Sequence, residues 1–254
     1  MSGVTKRVNS GRGHWYKLDG QKAPGVTTIL GDGVPKPALT AWAAREVATF
    51  AADNLDTLGA LDRDARIDLL RGAPWRDRDR AARRGTEVHR LAEQLVAGHE
   101  VTVPEELVGH VDAYVGFLDD WNPQAEHVEL VVGHRRHRYM GSLDLIARLA
   151  DGRRWLLDLK TTRSGIYSEV ALQLAAYRYA EFYLDARGRE QPMPEVDACG
   201  AVWVRTDGYD LVPVDAGPRT FRTFLYVQQV AHFTTGESLV GDVLTPPTPE
   251  EPAA

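Results

Sequence analysis

The sequence is poor in cysteine and lacks long apolar runs. A single cysteine, Cys199, among 254 residues forms neither an internal disulfide nor a four-cysteine metal site, a pattern typical of reducing compartments. Apolar stretches such as 201–204 fall far short of the roughly 18 residues that a membrane helix needs. The first residues lead into Gly, His and Trp rather than an apolar segment, so we expect no secretory signal. These absences predict a cytoplasmic protein that does not engage a membrane.

A positive net charge is also absent. The formal charge is −6, which argues against a protein that wraps nucleic acid with its whole surface. The charge is uneven, however: the window 71–90 holds seven arginines and three acidic residues, a net of +4, which leaves −10 for the rest. A second basic cluster spans 134–138. A solvated face is the ordinary explanation of such a run, and nucleic-acid binding is the alternative.

The two ends of the chain differ in composition from the middle. Residues 246–254 contain four prolines and no aliphatic side chain larger than alanine, which predicts a disordered tail. Residues 1–20 are polar and rich in glycine, and we expect an irregular arm or a small hairpin ending at Asp19-Gly20. Residues 21–240 are expected to form one domain.

Apolar periodicity divides this domain into a helical part, 37–122, and an α/β core, 126–235. Helical spacing predicts helices over 37–54, 62–70, 78–97 with an interruption near 84–86, 105–121, 169–185 and 218–233. Short runs rich in Val, Leu and Ile predict strands over 127–133, 139–149, 153–161, 198–205 and 209–214. The order predicts an α/β fold with a helical N-terminal extension.

Charged residues interrupt two of the predicted strands. Asp144 lies in one strand, and Asp158 and Lys160 lie in the next. If 150–152 is a three-residue hairpin loop with Gly152 in the left-handed conformation, Asp144 falls opposite Asp158 on the same face as Lys160. A two-residue turn would put the aspartates on opposite faces. We therefore predict the three-residue loop.

Two carboxylates this close repel one another unless a cation lies between them. Oxygen ligands of this kind favour Mg²⁺ or Mn²⁺ over softer metals. Lys160 would point to the same site, where it could orient a water or offset charge at a phosphate. The alternative is that Lys160 forms an ion pair with Asp144 or Asp158 in an inert sheet.

The order of these motifs resembles a known nuclease family. Asp144, then Asp158-Leu159-Lys160, then Gln173 and Tyr177 on the next helix resembles the PD-(D/E)xK nuclease superfamily, and its RecB-type exonucleases in particular, which occur in phages and in CRISPR adaptation. Upstream, 85–89 is similar to the Gly-x-x-x-His helix motif of that group, and 25–30 with 39–42 to the N-terminal region of phage members. The similarity extends over about 20–235. The resemblance implies a restriction-endonuclease-like core, with a mixed central sheet flanked by helices.

The resemblance also implies roles for individual residues. His89, Asp144, Asp158 and the carbonyl of Leu159 would bind the metal, and Lys160 would be the catalytic lysine. The upstream acid that orients the attacking water would be Glu129, with Glu126 as the competing choice. The family pattern places two side chains, those of Gln173 and Tyr177, against the substrate strand, although a core role for Tyr177 is equally expected. Further DNA contacts are expected from Arg83, Arg84 and Thr161, with Trp42 or Trp75 stacking a frayed base.

The sequence departs from the family pattern at three points. The proline of the motif name is missing before Asp144, a position at which the superfamily is variable. With only Cys199, the iron–sulfur cluster of one subgroup is excluded. No Walker-type phosphate loop occurs, so unwinding would have to come from a partner.

These features predict a Mg²⁺- or Mn²⁺-dependent exonuclease acting on linear DNA ends in recombination or repair, in a bacterial cell or a phage-infected host. A helicase or a single-strand annealing protein would be its partner. Three alternatives remain open at this point: a structure-specific endonuclease such as a resolvase or restriction-like enzyme, a non-catalytic protein that binds DNA ends, and a metal hydrolase of small phosphorylated molecules.

Overall fold

The computed structural model describes residues 4–10, 13–163, 165–236 and 239–244, apart from the Asp77 side chain. The predicted tail 246–254 lies outside these residues. The helices are α1 (Val26–Gly33), α2 (Pro37–Asp53), α3 (Leu55–Gly59), α4 (Arg63–Val96), α5 (Val108–Trp121), α6 (Glu169–Arg178) and α7 (Pro218–Thr235). The strands are β1 (Lys6–Ser10), β2 (Gly13–Leu18), β3 (Gln21–Ala23), β4 (Gln124–His134), β5 (Tyr139–Arg148), β6 (Arg154–Lys160), β7 (Phe182–Leu184), β8 (Glu190–Pro192), β9 (Ala198–Arg205) and β10 (Gly208–Pro213).

A seven-stranded mixed sheet forms the centre of the fold, in the order β10-β9-β6-β5-β4-β7-β8. Its strands pair antiparallel except β6 and β9, which run parallel with α6 in the connection between them. The predicted α/β class is confirmed. The arrangement is compatible with the restriction-endonuclease-like core that the sequence predicts. Within the described residues, no helix combines the length and the apolar character needed to cross a membrane.

Two apolar cores lie on opposite faces of this sheet. One core joins the sheet to α1, α6 and α7 through residues such as Ile29, Leu174 and Phe224. The other joins it to α4 and α5 through Leu91 and Phe117 among others. The sheet therefore receives helices on both faces, which is the layer architecture expected of an α/β domain.

The described part of the N-terminal segment is regular: the irregular arm expected over 1–20 is wrong, and the alternative, a small hairpin ending at Asp19-Gly20, is present as β1 and β2. Strands β1, β2 and β3 form a separate antiparallel sheet. Asp19 (φ 50°) and Gly20 (φ 82°) turn β2 into β3, because a two-residue hairpin of this hand needs positive φ at both positions. Tyr16 and Leu18 are buried against Met140 of β5. We call this three-stranded sheet, residues 6–23, the arm.

Two helix predictions also need correction. Residues 63–96 form one helix rather than two, with Pro74 inside it and no break at Gly85. Its start is capped by Asp62, whose side chain accepts from two backbone N–H groups. The helix predicted over 169–185 ends at Arg178, because 182–184 pair with β4 as an edge strand instead.

The hairpin between β5 and β6 has the predicted three-residue loop. Gly152 is left-handed (φ 78°), and the N–H of Leu149 donates to the carbonyl of Arg153 at 3.1 Å. The ladder then runs in the expected register from Arg148 to Leu145. The pairing ends there, one residue before the predicted pair of Asp144 and Asp158.

Candidate metal centre

Three potential metal ligands converge where α4, β4 and β5 meet. His89, Glu129 and Asp144 each offer one ligand atom, and these atoms lie within 4.8 Å of one another. All three side chains are half-buried. A cavity of about 30 Å³, lined also by Glu93 and Tyr114, lies beside them. The three-residue group could hold a metal ion.

Glu129 belongs to this group through an uncommon backbone conformation. The β4–β5 register puts it opposite Asp144, and its φ of 50° lies in the left-handed region. Such a conformation costs a residue other than glycine about 1–3 kcal/mol and is concentrated at functional sites. At the same point the strand alternation breaks, because Leu143 and Leu145 pack in opposite cores although they are two residues apart.

His89 approaches from the α4 face of the sheet. Its Nδ1 lies 3.5 Å from Asp144 Oδ2. Gly85 lies one turn earlier on α4, where an added Cβ would be only 3.2 Å from Thr161 Oγ1. The missing side chain lets α4 lie close to the end of β6, and this brings His89 within reach of Asp144.

Asp158 and Lys160 form a second group next to the first. Lys160 Nζ lies 2.5 Å from Asp158 Oδ2 and donates to Gln173 Oε1 at 3.2 Å. Gln173 Nε2 in turn donates to Asp158 Oδ1 at 2.8 Å. Gln173 on α6 thus holds both charged side chains at the end of β6.

The Asp158 carboxylate is buried against Lys160. It is 2% exposed, and its Oδ2 lies 2.5 Å from the Lys160 ammonium, so this oxygen already has a cationic partner. Burial raises the pKa of Asp158 above its ordinary value, and the opposing effect of Lys160 does not overcome it. The carboxylates around Lys160 raise its pKa despite burial, so it remains an ammonium ion. A carboxylate buried this deeply needs a positive partner, and Lys160 is that partner.

Burial also raises the pKa of Glu129 to about 7, and the charge of Asp144 adds to this effect. Two carboxylates that repel one another beside a histidine are the situation that a divalent cation relieves. Asp144 is held in place independently, because its Oδ2 accepts from the N–H of Leu159 at 2.7 Å. The donor set of one imidazole and two carboxylates therefore fits a divalent metal.

Some predicted ligands lie in this group and others do not. His89, Asp144 and Glu129 are together, whereas the carboxylate of Asp158 faces Lys160 and lies outside the group. Its role as a ligand, and that of the Leu159 carbonyl, stay predictions. Glu126 is ion-paired with Arg154 and Arg148. Of the two competing upstream acids, Glu129 is the one at the site.

Tyr177 is a core residue: of its two equally expected roles, the structure has the core role and not the contact with a substrate strand. It is 2% exposed, and its ring fills the space above Gly141, where an added Cβ would lie 2.5 Å from Cε1. Its hydroxyl accepts a long hydrogen bond from Gln173 Nε2 at 3.4 Å. Tyr177 therefore supports Gln173 from beneath. The motif joins one residue at the site to one in the core, as the four-residue helical spacing allows.

The basic residues divide into two kinds. Arg135 forms ion pairs with Asp19 and Glu190, and Arg138 also pairs with Asp19, so the 134–138 cluster ties the arm to the sheet. In the 71–90 window Arg83 is exposed and Arg84 is half-buried.

Burial, and then the charges of Arg84 and Arg163, lower the pKa of His110 on α5. Arg84 thus lies near a second arginine that follows β6. The DNA contacts expected from Arg83, Arg84 and Thr161 stay predictions.

Sequence reasoning missed the contribution of the arm. Arg7 lies 3.4 Å from Ser142 Oγ, 4.0 Å from Glu129 Oε2 and 3.3 Å from His14 Nδ1. The Tyr16 hydroxyl lies 3.1 Å from Ser142 Oγ and 3.0 Å from His14 Nε2. The only signal available was the mixture of Arg, His and Tyr in a polar segment, and nothing local linked it to β5.

Comparison with known proteins adds little to this geometry. No family model matches the chain, and no curated protein matches it. Among solved structures, the crystal structure of SSO0001 matches with a TM-score of 0.31 and 14% identity, covering 53% of this chain and 63% of that one. The match thus spans less than two thirds of that protein.

Proposed function

We propose that this protein is a metal-dependent deoxyribonuclease that degrades DNA from its ends. The observation that carries the proposal is the close placement of the group His89, Glu129 and Asp144 beside the buried pair Asp158 and Lys160. An inert sheet has no need for three carboxylates, an imidazole and an ammonium at one point, because such charges are costly to bury. The resemblance to RecB-type exonucleases supports action at DNA ends.

The metal would be Mg²⁺ or Mn²⁺. Carboxylate oxygens are the ligands that these ions prefer, and two of the three residues in the group are carboxylates. A divalent ion bound here would supply Lewis-acid stabilisation of the negative charge on the phosphate.

The chain's own residues supply the other requirements of phosphodiester hydrolysis. We assign Lys160 to orient the attacking water and to offset charge on the phosphate, since Asp158 and Gln173 hold its ammonium group. Glu129 would orient the same water from the opposite side. The new bond joins the water oxygen to phosphorus as that water releases a proton to solvent; the bond to the leaving oxygen breaks, and that oxygen takes up a proton from solvent.

The arginines of α4 support DNA as the substrate. All of them except Arg90 precede His89 on one helix, so a strand bound along them would be directed to the site. In the described part of the chain, acidic neighbours pair with Arg63, Arg71, Arg78 and Arg90. Contacts of this kind bind phosphates without reading sequence and weaken with salt. Trp75, 52% exposed and covered by Arg78, offers a ring on which a base could stack.

Digestion of labelled DNA tests the proposal. Linear and covalently closed circular DNA of one sequence are incubated with Mg²⁺, Mn²⁺ or EDTA and with wild type, Asp144→Ala or Asp68→Ala. Asp68 is an exposed aspartate on α4, away from the site. We expect loss of linear DNA alone, with metal only, by wild type and Asp68→Ala.

Other outcomes favour other functions. Cutting of the circle indicates an endonuclease. Binding of ends without cutting indicates a recognition protein, and release of phosphate from small substrates alone indicates a different hydrolase. In the expected outcome, the position of the surviving label gives the polarity, and addition of a helicase or an annealing protein tests for a partner.

A further inference from the structure

Among the residues that the structure describes, Arg7 is the cation that the arm brings to the group His89, Glu129 and Asp144. It lies on β1, the edge strand of the arm, and is 135 residues away in sequence from the side chain it contacts, Ser142. Ser142 precedes Asp144 by two residues on β5. Arg7 also lies 4.0 Å from Glu129 Oε2, at the limit of an ion pair.

The guanidinium of Arg7 is only partly used. Arginine has five N–H donors in a rigid fork, and the acceptors within reach are Ser142 Oγ at 3.4 Å and His14 Nδ1 at 3.3 Å. Both contacts are long. Its Nε is buried and has no hydrogen-bond partner. The side chain is 32% exposed, so the fork is open to an incoming group.

The arm does not need Arg7 to hold it against the central sheet. Tyr16 and Leu18 bury their side chains against the sheet, and Asp19 pairs with both Arg135 and Arg138. Arg7 thus contributes little to the attachment of the arm, although its positive charge lies beside the acidic site. We therefore look for its role at that site.

We propose that Arg7 binds the phosphate of the DNA strand undergoing cleavage, through its guanidinium. The inference rests on the proposed nuclease function and assigns that site one further catalytic residue. Phosphate oxygens match the guanidinium fork better than the hydroxyl and imidazole that it contacts now. Glu129 belongs to the group His89, Glu129 and Asp144 and also lies 4.0 Å from Arg7. A phosphate held at that group therefore lies within reach of Arg7.

The test compares Arg7→Ala, Arg7→Gln and Arg7→Lys with two controls. Tyr16→Phe removes a hydrogen bond from the same network without removing charge, and Arg187→Ala removes an exposed arginine elsewhere. For each protein we measure kcat and KM on linear DNA, affinity for the same DNA in Ca²⁺ where no product forms, affinity for Mn²⁺, and the melting temperature.

We expect kcat to fall about 10²-fold in Arg7→Ala and Arg7→Gln, as when one charge-stabilising donor is removed, and less in Arg7→Lys. Mn²⁺ affinity and melting temperature should stay at wild-type values. A neutral methylphosphonate at the linkage cut first should slow wild type more than Arg7→Ala, because the variant has already lost the contact.

Three results would overturn the inference. The first is a wild-type rate in Arg7→Ala and Arg7→Gln. The second is activity that falls only in parallel with Mn²⁺ affinity or melting temperature, which is expected if Arg7 only holds the arm against the sheet. Equal slowing of wild type and Arg7→Ala by the methylphosphonate is the third. A wild type that cuts no DNA with any metal defeats the proposed function itself and is thereby distinguished from these three.

Discussion

The outer helices and the sheet core differ sharply in how much they bury. We call α2, α3 and residues 63–80 of α4 the helical layer. Helix α2 buries none of its 17 residues, and α3 buries only Leu58. Helix α5, with 14 residues, buries His110, Val111, Ala113, Tyr114 and Phe117. Apolar burial is the main source of stability, so the helical layer is held weakly and the sheet core firmly.

The single helix α4 belongs to both regions. Its outer half carries most of the arginines and the exposed Trp75, whereas its inner half buries Val88, Leu91 and Ala92 and carries His89. Residues that must hold a fixed geometry lie in the firm region. Charged residues that need only act at long range or through a loose contact lie in the weakly held helical layer. Substitutions in the two regions should therefore act in different ways.

The largest effect is expected at Lys160. Lys160→Met should lower the cleavage rate by at least about 10²- to 10³-fold, because a charge at the phosphate is lost. It should also cost about 3–5 kcal/mol of unfolding free energy, because Asp158 is left buried without its partner. The double variant Asp158→Asn with Lys160→Met should recover stability without activity. Urea unfolding measures the stability of the single and the double variant, and exposed Lys22→Met is the control. A double variant no more stable than Lys160→Met contradicts the prediction.

The next effect is a pH dependence in EDTA. The pKa of Glu129 is raised from 4.5 to about 7, so its contribution to stability is present below about pH 4.5 and is lost as pH rises through about 7. The loss is at most about 3 kcal/mol, and solvent screening reduces it. Glu129→Gln should flatten the unfolding free energy across this range, whereas exposed Glu106→Gln should not. Mn²⁺ should restore stability at the alkaline end.

Glycine substitutions contrast the two regions directly. Gly141→Ala should cost about 1–3 kcal/mol, because the added methyl meets the buried Tyr177 ring at 2.5 Å. Gly72→Ala in the helical layer meets only the Arg76 guanidinium at 3.4 Å, and should stabilise the protein by about 0.5–1 kcal/mol. Chemical denaturation gives both values. Equal effects at the two glycines would remove the distinction between the regions.

The smallest effect is expected from the arginines. Arg83→Ala with Arg84→Ala should weaken DNA binding by about tenfold or less and reduce the slope of log affinity against log salt by about 1–2. The cleavage rate at saturating DNA should not change. Anisotropy at several salt concentrations gives the slope. A loss of kcat at saturation would show that these arginines act on chemistry.

The parts of the fold that follow from local rules could be predicted. The three-residue loop at 150–152 predicts the register of β5 against β6, because a turn constrains the strands that flank it. The predicted pair of Asp144 and Asp158 follows from that register. The α5 helix and β9–β10 hairpin likewise follow from short-range periodicity. Of the candidate site, His89 and Asp144 were identified from motif order.

The parts that depend on distant partners could not be predicted. Residues 182–184 continue the helical pattern of α6, yet they pair with β4 because Gly133 leaves room for Phe182. Helix α4 continues through Pro74 because it packs along α2. No local sequence pattern predicts this contact. The contact of Arg7 with Ser142 joins segments that only the completed tertiary structure brings together.

This last contact has a consequence for synthesis on the ribosome. The arm leaves the exit tunnel before the other parts of the site: the strand that receives Arg7 and Tyr16 follows more than a hundred residues later, and the helix that holds Lys160 later still. A nascent chain therefore carries an unassembled site for most of its elongation. If the proposed function holds, this centre gains its reactivity only after the sheet has closed around it.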